Sequence, residues 1–272
     1  MPELPEVETV RRSLIPRLVG KKIVDVNIYY NEIIEYPSAV NFREEIKGEV
    51  IRDIERRGKW LILILDNYYL FSHLRMEGKF FFKDKSEERG KHDHVIFDLG
   101  DTSFRYNDTR KFGKMLLIRK EDVYKIGPLV SLGLEPFDEN MDVNYLTAKF
   151  RGKRIPIKVA LLDQTIIAGI GNIYANEILY RCGINPLRSA GVLSLEELDS
   201  IINNSRDILS KAIEEGGSTI RSYSSVDGVH GLFQNELSVH GKDGEKCPKC
   251  GSIIEKMTVG GRGTYYCPKC QK

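Results

Sequence analysis

Four cysteines near the end of the chain constrain its fold more than any other feature. Cys247, Cys250, Cys267 and Cys270 follow the spacing C-x2-C-x16-C-x2-C within the last 26 residues. This spacing is typical of tetrahedral zinc sites in which two thiolate pairs face each other. Two disulfides are the alternative, but they fit poorly with a chain whose start lacks the basic and apolar pattern of an export signal. We therefore expect one structural Zn²⁺ per chain.

The segment between the cysteine pairs predicts a β-hairpin that contacts a polyanion. Two strand-like runs in "GSIIEKMTVGGRGTYY" are joined by "GGRG", which places Arg262 at the tip. The net charge of the whole chain is only +2, but the segment from His240 to the last residue contains seven basic and three acidic residues. An exposed guanidinium suits phosphate oxygens. The alternative is a zinc clasp with a purely structural role and solvated lysines.

The N-terminal part of the chain predicts a β-rich domain capped by helices. Short runs such as "WLILILD", "YYLFSHL" and "HVIFDL" follow one another from Ile23 to about Ile118, which indicates a sandwich or barrel. Before them, an amphipathic helix is expected to begin near Pro5, and Pro16 to end or bend it. The apolar positions of this helix recur every three or four residues: Val7, Val10, Leu14 and Leu18.

The C-terminal part predicts helices followed by the zinc hairpin. "GNIYANEILYRCG" fits a helix that stops at Gly183, and Ser194 with Glu197 forms a capping box for the next helix. The short segment between them allows only tight turns, which predicts a helix-two-turns-helix. The expected fold class is α+β with two domains. We expect a β-sandwich over 1–126, a linker over 127–142, a helical domain over 143–236 and the zinc hairpin over 237–272.

The opening "MPELPEVETV" raises the possibility of chemistry at the amino terminus. If Met1 is removed, the nitrogen of Pro2 becomes a secondary amine with a pKa of roughly 7.7 to 8.0, so part of it is unprotonated near neutral pH. Attack on a carbonyl-level carbon would give an iminium, which makes elimination from the adjacent carbon easy. Glu3 and Glu6 could supply a proton donor and an orienting acceptor. Alternatively, both glutamates only complement the dipole of the first helix.

A second phosphate-binding candidate lies in "GIGNIYANE". Free amides at a helix start favour an anion, and Asn172 can add a side-chain donor. The glycines could instead serve close helix packing. Cys182, the fifth cysteine, is interpreted as a small buried residue near a helix end.

Motifs along the whole chain resemble one family. They are "MPELPEVETV", "RRGKWL", "SHLRMEGKF", "KHDHV", "NDTRKFG", "GIGNIYANEIL", "GGSTIRSYSSVDGVHGLFQ" and the four-cysteine hairpin, in order from residue 2 to residue 270. This set resembles the bacterial formamidopyrimidine-DNA glycosylases, also called 8-oxoguanine DNA glycosylases. The resemblance implies a bifunctional repair enzyme that excises oxidised purines from damaged double-stranded DNA and then cuts the strand at the abasic site.

The resemblance also implies catalytic roles for five residues. Pro2 matches the nucleophile that attacks C1′, Glu3 the general acid that assists ring opening, and Glu6 a supporting carboxylate. Lys59 matches the lysine that donates a proton during β-elimination and holds a phosphate. Arg262 matches the hairpin arginine assigned to δ-elimination.

Further positions match residues that contact DNA in the family. Met76, Arg110 and Phe112 match a triad that fills the space left by the flipped nucleotide and holds the estranged cytosine. A loop that closes over the lesion corresponds to Thr219, Ile220, Arg221, Ser222 and Tyr223. The remaining matches to DNA or lesion contacts are His73, His92, Lys111, Arg154, Lys158 and Asn172.

Two departures from the family pattern bear on lesion preference. His240 stands where a tyrosine is usual, and Ser222 where an acidic residue is common. Endonuclease VIII shares Pro2, Glu3 and the zinc hairpin with this family, so one alternative function is an endonuclease VIII-like glycosylase for oxidised pyrimidines. Others are a non-catalytic zinc-containing DNA-binding protein and a proline-nucleophile enzyme acting on small keto acids. We expect a monomer in the bacterial cytoplasm with no membrane partner, since no apolar stretch reaches transmembrane length.

Overall fold

The chain forms two compact units in a computed structural model that describes residues 1–218 and 231–272. The first unit comprises Met1–Ser131 together with residues 216–218 and 231. The second comprises Leu132–Glu215 and Leu232–Lys272. Each unit has its own apolar cluster, so each is described by itself.

The first unit begins with helix α1, which spans Leu4–Leu18. Pro5 lies in the first turn, where its missing N–H removes no helical bond. Of the two effects expected of Pro16, an end of the helix is wrong, because Pro16 lies inside α1 and the helix continues to Leu18. One absent hydrogen bond in the last turn is offset by burial of the fully enclosed Leu18 side chain. The predicted apolar face is buried: Val7, Val10, Leu14 and Leu18.

Two β-sheets make up most of the first unit. Their strands are β1 Asp25–Ile28, β2 Ile34–Tyr36, β3 Asp53–Arg57, β4 Trp60–Ile64, β5 Tyr68–His73, β6 Lys79–Asp84, β7 Asp93–Asp98, β8 Thr102–Asn107 and β9 Lys114–Arg119. The sheet orders are β1-β7-β8-β6 and β2-β9-β5-β4-β3, and the strand pairs are antiparallel except for β2 with β9. A short helix that was not predicted, α2 (Ala39–Ile46), lies between β2 and β3.

The two sheets enclose one apolar core. Val26 and Phe97 from one sheet share this cluster with Leu63 and Leu117 from the other, and Leu14 of α1 joins them. Side chains alternate between faces along a strand, so each sheet can contribute one apolar face to a shared interior. The expected helix-capped β-sandwich is confirmed.

The second unit is helical, with α3 (Val143–Phe150), α4 (Ile157–Leu162), α5 (Asn172–Cys182) and α6 (Leu195–Glu214). Gly183 ends α5 in the left-handed conformation (φ 71°), as predicted. The capping box of α6 is present: the N–H of Glu197 donates to Ser194 Oγ (3.2 Å), and the N–H of Ser194 donates to Glu197 Oε2 (2.9 Å). These local caps fix where α5 ends and where α6 begins.

The second unit also contains the hairpin β10 (Glu255–Val259) and β11 (Arg262–Tyr266). Its two-residue turn has positive φ at both positions, 56° at Gly260 and 74° at Gly261, which favours glycine at each. A Cβ on Gly260 would lie 2.7 Å from Val159 Cγ2, so the turn packs closely against α4. Within residues 1–218 and 231–272, no helix has both the length and the apolar character needed to cross a membrane.

Candidate active site and nucleic-acid interface

Pro2 lies buried directly before α1, next to two buried carboxylates. Glu3 occupies the N-cap position, and its backbone N–H donates to Glu6 Oε2 (2.8 Å). The other oxygen of Glu6 accepts from the N–H (2.7 Å) and the hydroxyl (3.1 Å) of Ser218. Glu6 therefore holds the backbone around the amino terminus and joins it to the residues that follow α6.

The terminal amine itself is held in an environment that favours its neutral form. Burial lowers the pKa of the Met1 α-amino group; the carboxylates of Glu3 and Glu6 raise it, and the charges of Lys59 and Arg110 lower it. Electrostatic effects of this kind require charges close to the amine. The fold thus brings four of the predicted site residues to the amino end of the chain.

Lys59 is presented by the tight turn between β3 and β4. Gly58 has φ 59° at the first turn position, where glycine is favoured, and Lys59 follows it at 5% exposure. Arg56 donates to the Gly58 carbonyl (3.0 Å) and to Glu8 Oε2 (3.3 Å) on α1. Burial raises the pKa of Glu8, but hydrogen bonds from Arg11 and Arg12 outweigh burial and hold this pKa at about 2. Glu8 therefore ties α1 to the turn that carries Lys59.

His73 ends β5 as a buried neutral imidazole. Its Nδ1 accepts from the N–H of Arg75 (3.0 Å), and its ring packs edge-on against Trp60 with centroids 4.8 Å apart. Burial, together with the charges of Arg75 and Lys59, lowers the pKa of His73 to about 3. Because Nδ1 accepts, Nε2 carries the proton. That N–H is a donor suited to a phosphate oxygen.

The depressed pKa of His73 predicts a specific loss of stability in acid. The unfolded imidazole titrates near 6.5 and the folded one near 3, so the unfolded state binds the extra proton between these values. The stabilisation is fully present above pH 6.5 and is lost as the pH falls toward 3. As the pH falls through this window, the free energy of unfolding should decrease more steeply for the parent than for His73→Gln. The expected difference between the two slopes is about 1.4 kcal/mol per pH unit.

Urea unfolding of both proteins at several pH values between 7 and 4 measures this difference. His94 is retained in both proteins, so its own titration cancels in the comparison. Equal pH slopes for parent and His73→Gln would contradict the assigned environment of His73.

The three predicted void-filling residues lie on two loops of the first unit. Met76 (40% exposed) lies on the 74–78 loop between β5 and β6, and Phe112 (50% exposed) on the 108–113 loop between β8 and β9. The Arg110 guanidinium lies 4.8 Å from the centre of the Phe112 ring. Among the described residues, the non-glycine residues with positive φ are Arg75 (53°) and Lys111 (58°). Each of these two residues is the chain neighbour of a predicted void-filling residue. Strained backbone of this kind clusters at functional sites.

His92 lies half-buried directly before β7, next to the 108–113 loop. Its carbonyl accepts from the N–H of Asp108 (3.0 Å), and its ring centroid lies 6.3 Å from that of His94. The structure thus brings His92 to the base of the loop that carries Arg110 and Phe112.

In the second unit, two predicted DNA contacts hold the hairpin. Lys158 is fully buried on α4, and its ammonium donates to the carbonyl of Gly263 (3.0 Å) and to Thr264 Oγ1 (2.7 Å). Asn172, the first residue of α5, donates from Nδ2 to the same Gly263 carbonyl (3.0 Å). These bonds fix β11 beside the helices, and Arg262 and Arg154 remain exposed.

The four predicted cysteine ligands converge in the second unit. Their sulfur atoms lie within 4.8 Å of one another, with Cys247 and Cys270 3.9 Å apart and Cys250 and Cys267 3.5 Å apart. A tetrahedral zinc with Zn–S bonds of about 2.3 Å places its sulfurs about 3.8 Å apart. The donor set and spacing therefore fit Zn²⁺. The hydroxyl of Tyr180 lies 3.2 Å from the Cys247 sulfur and can orient it.

Comparison with known proteins assigns the chain to a family. Residues 1–115 match the formamidopyrimidine-DNA glycosylase N-terminal domain, residues 132–224 match the formamidopyrimidine-DNA glycosylase H2TH domain, and residues 244–272 match a zinc finger found in FPG and IleRS. The chain belongs to the formamidopyrimidine-DNA glycosylase family. The expected resemblance is confirmed, and the four cysteines form the structural zinc site of this family.

Similar proteins cover the full chain. The formamidopyrimidine-DNA glycosylase of Exiguobacterium sibiricum is 48% identical over 274 residues, covering 100% of this chain and 99% of that protein. A Lactococcus lactis FPG mutant, solved with DNA containing Fapy-dG, has a TM-score of 0.94 at 42% identity and full coverage of both chains. The Lactococcus lactis Fpg bound to abasic-site DNA has a TM-score of 0.93, also at 42% identity, covering 99% of each chain.

Two residues with a structural part in this glycosylase-family site were missed from the sequence. Glu8 and Asp108 each lie in a motif used for the resemblance, but neither was singled out. An acidic residue just before a turn indicates side-chain bonds to the following N–H groups, and that pattern is present at Asp108. The predicted lesion loop, Thr219 to Tyr223, lies outside the described residues.

Proposed function

We propose that this protein is a bifunctional DNA glycosylase and abasic-site lyase of base-excision repair. It removes oxidised purines, including 8-oxoguanine and formamidopyrimidines, from damaged double-stranded DNA. The observation that carries the proposal is the buried Pro2, which lies beside the buried carboxylates of Glu3 and Glu6, with Glu6 accepting from the N–H of Glu3 (2.8 Å). The Lactococcus lactis relatives bound to Fapy-dG and abasic-site DNA support the same substrate class.

In the first step, the amine of Pro2 attacks C1′ of the damaged nucleotide. The bond from C1′ to the base breaks, and the base leaves with a proton. Glu3 protonates the sugar ring oxygen as the C1′–O4′ bond opens, which leaves an iminium between C1′ and the proline nitrogen. Glu6 supports this step by holding the backbone N–H of Glu3.

Two eliminations follow from the iminium. Loss of a C2′ proton expels the 3′ phosphate, with Lys59 supplying a proton and holding a phosphate. Loss of a C4′ proton then expels the 5′ phosphate, a step assigned to Arg262. Water finally hydrolyses the iminium and restores the amine, so the products are a one-nucleotide gap with phosphates on both sides.

DNA binding is assigned to both units. Met76, Arg110 and Phe112 fill the space left by the flipped nucleotide, because their exposed side chains lie on neighbouring loops. Direct contacts to phosphates or the lesion are assigned to His73, His92, Lys111, Arg154 and Asn172. Lys158 acts by positioning the hairpin, since its ammonium is buried against β11.

The domain assignment and cellular setting complete the proposal. The catalytic sandwich is assigned to 1–126 and the linker to 127–142. The helical DNA-binding domain is assigned to 143–236 and the zinc hairpin to 237–272. We also propose a monomer in the bacterial cytoplasm, where the chromosome is accessible. The lesion loop at 219–223 remains assigned by its sequence.

The test is a cleavage assay on a panel of duplex oligonucleotides. We expect excision of 8-oxoguanine and formamidopyrimidine, and products with phosphates on both sides of the gap. Preferred cleavage at oxidised pyrimidines would favour the endonuclease VIII-like alternative. DNA binding without cleavage of any lesion would favour a non-catalytic zinc protein.

An Arg262→Ala arm of the same assay tests the assignment to δ-elimination. The product should then stop at the unsaturated aldehyde left by β-elimination, and the salt dependence of DNA binding should weaken by about one phosphate contact. Arg52→Ala is the matched control, because that exposed guanidinium pairs with Asp66 on the first unit. Full δ-elimination by Arg262→Ala would contradict the assignment.

A further inference from the structure

Asp108 is fully buried, and its carboxylate accepts hydrogen bonds from backbone N–H groups of the 108–113 loop. Oδ1 accepts from the N–H of Arg110 (2.9 Å). Oδ2 accepts from the N–H groups of Phe112 and Gly113, each at 2.9 Å. One side chain therefore sets the path of the backbone on both sides of Arg110 and Phe112.

The backbone of Asp108 is itself fastened to β7. Its N–H donates to the carbonyl of His92 (3.0 Å), and its carbonyl accepts from Nε2 of His94 (2.9 Å). Both partners belong to the first unit, close to the start of β7. These two bonds hold the Asp108 backbone against β7, so the carboxylate starts from a fixed position beside the sheet.

Tyr106 links this fixed point to the second loop. Its hydroxyl donates to Asp108 Oδ2 (3.3 Å). A Cβ on Gly113 would lie 1.6 Å from that hydroxyl oxygen, and a Cβ on Gly78 would lie 2.2 Å from it. The ends of the 108–113 loop and the 74–78 loop therefore both pack directly on the Tyr106 hydroxyl. A further hydrogen bond, from the Thr109 hydroxyl to the Glu77 carboxylate, joins the same two loops.

A carboxylate is required at this position by the number of donors. Three backbone N–H groups and one hydroxyl converge on two oxygens, and an amide offers only one oxygen. Asparagine has the same shape, but in either orientation its NH2 group faces at least one N–H donor. The 108–113 loop would then have to move, and Lys111 would be released from its positive φ of 58°.

We propose that Asp108 is a positioning residue that fixes Arg110 and Phe112 in register with Met76 and thereby sets discrimination of the base opposite the lesion. This inference rests on the proposed function, in which these three side chains fill the space left by the flipped nucleotide. Asp108 acts through the backbone and does not itself contact DNA or the reacting atoms.

The experiment compares Asp108→Asn with the parent in three assays. Single-turnover excision of 8-oxoguanine opposite cytosine should slow by about tenfold to a hundredfold. The ratio of rates opposite cytosine and adenine should fall toward one. Borohydride trapping on a single-stranded abasic oligonucleotide should be unchanged, because that substrate has no opposite base and no stack to fill.

The matched control is Glu49→Gln. Glu49 is also buried in the first unit and accepts from the N–H (2.8 Å) and side chain (2.7 Å) of Asn67, at the opposite end of β5 from the 74–78 loop. The Glu49→Gln variant should lose about as much thermal stability as Asp108→Asn. Its ratio of excision rates opposite cytosine and adenine should stay that of the parent. Tyr106→Phe removes one of the four donors and should shift the ratio in the same direction by less. If Asp108→Asn does not fold, this variant decides the test.

The outcomes separate this inference from the proposed function. If Arg110→Ala leaves the ratio unchanged, the role assigned to the loop is wrong. If Arg110→Ala lowers the ratio but folded Asp108→Asn or Tyr106→Phe does not, the positioning role is overturned. A ratio lowered in both, with single-stranded trapping retained, supports it.

Discussion

Protein that retains Met1 is expected to lose borohydride-trapped adduct formation with abasic-site DNA by about three orders of magnitude or more relative to protein that begins at Pro2. In the retained form the Pro2 nitrogen is part of a planar tertiary amide, so its lone pair is unavailable for attack. In the processed form it is a secondary amine that is partly neutral near pH 7.

The amine of a retained Met1 does not restore the reaction. It lies one residue away from the Pro2 nitrogen, a displacement of at most about 3.6 Å along the chain. Misplacement of a reacting group by even 1 Å can reduce a rate by about a hundredfold. Burial lowers the pKa of the Met1 amine, but a neutral amine displaced from the position of the Pro2 nitrogen still reacts slowly.

The measurement uses one polypeptide in two states. Protein isolated with Met1 attached is treated with a methionine aminopeptidase, and intact mass gives the fraction processed. Trapped adduct should rise in proportion to that fraction. Equal trapping before and after removal of Met1, or an undiminished adduct in Pro2→Gly, would rule out Pro2 as the nucleophile.

Features governed by neighbouring residues could be predicted from the sequence. The capping box at Ser194 and Glu197 and the stop at Gly183 depend on bonds within one helix turn. The zinc site depends on two short cysteine pairs, and the resemblance to the family added the catalytic residues around Pro2. A sandwich or barrel followed from short β-rich runs separated by turns, although the strand order did not.

Features governed by distant contacts could not be predicted. The family resemblance places Lys158 among the residues that contact the DNA or line the lesion site, but its bonds to Gly263 and Thr264 join residues about a hundred positions apart. The persistence of α1 past Pro16 depends on burial of Leu18 against the sheets. Asp108 gains its importance only when β7 and β8 pair and bring His94 to its carbonyl. In each case tertiary packing decides what the local pattern leaves open.

Cys250→Ser is expected to remove zinc from the protein and to weaken binding to lesion DNA by at least about tenfold at physiological salt. The apolar cluster beneath the hairpin is small and includes two of the cysteines, with Tyr180, Val239 and Ile254 as its other buried members. So little burial cannot hold the hairpin by itself, and metal binding supplies most of its folding free energy, about 10 kcal/mol or more in comparable zinc peptides. Without the metal, Arg262 loses its rigid support.

Cys182→Ser is the matched control, because Cys182 lies outside the cluster and its sulfur accepts from Asn204 Nδ2 (3.5 Å). It should keep one zinc per chain and the parent's affinity. Trp60, the single tryptophan, lies on β4, so unchanged fluorescence would show that the first unit still folds in Cys250→Ser. Full zinc content in Cys250→Ser would remove that residue from the site. A zinc-free variant that binds DNA as tightly as the parent would remove the hairpin from the interface. Loss of both zinc and DNA affinity would show that the hairpin contacts phosphate only when the metal holds its fold.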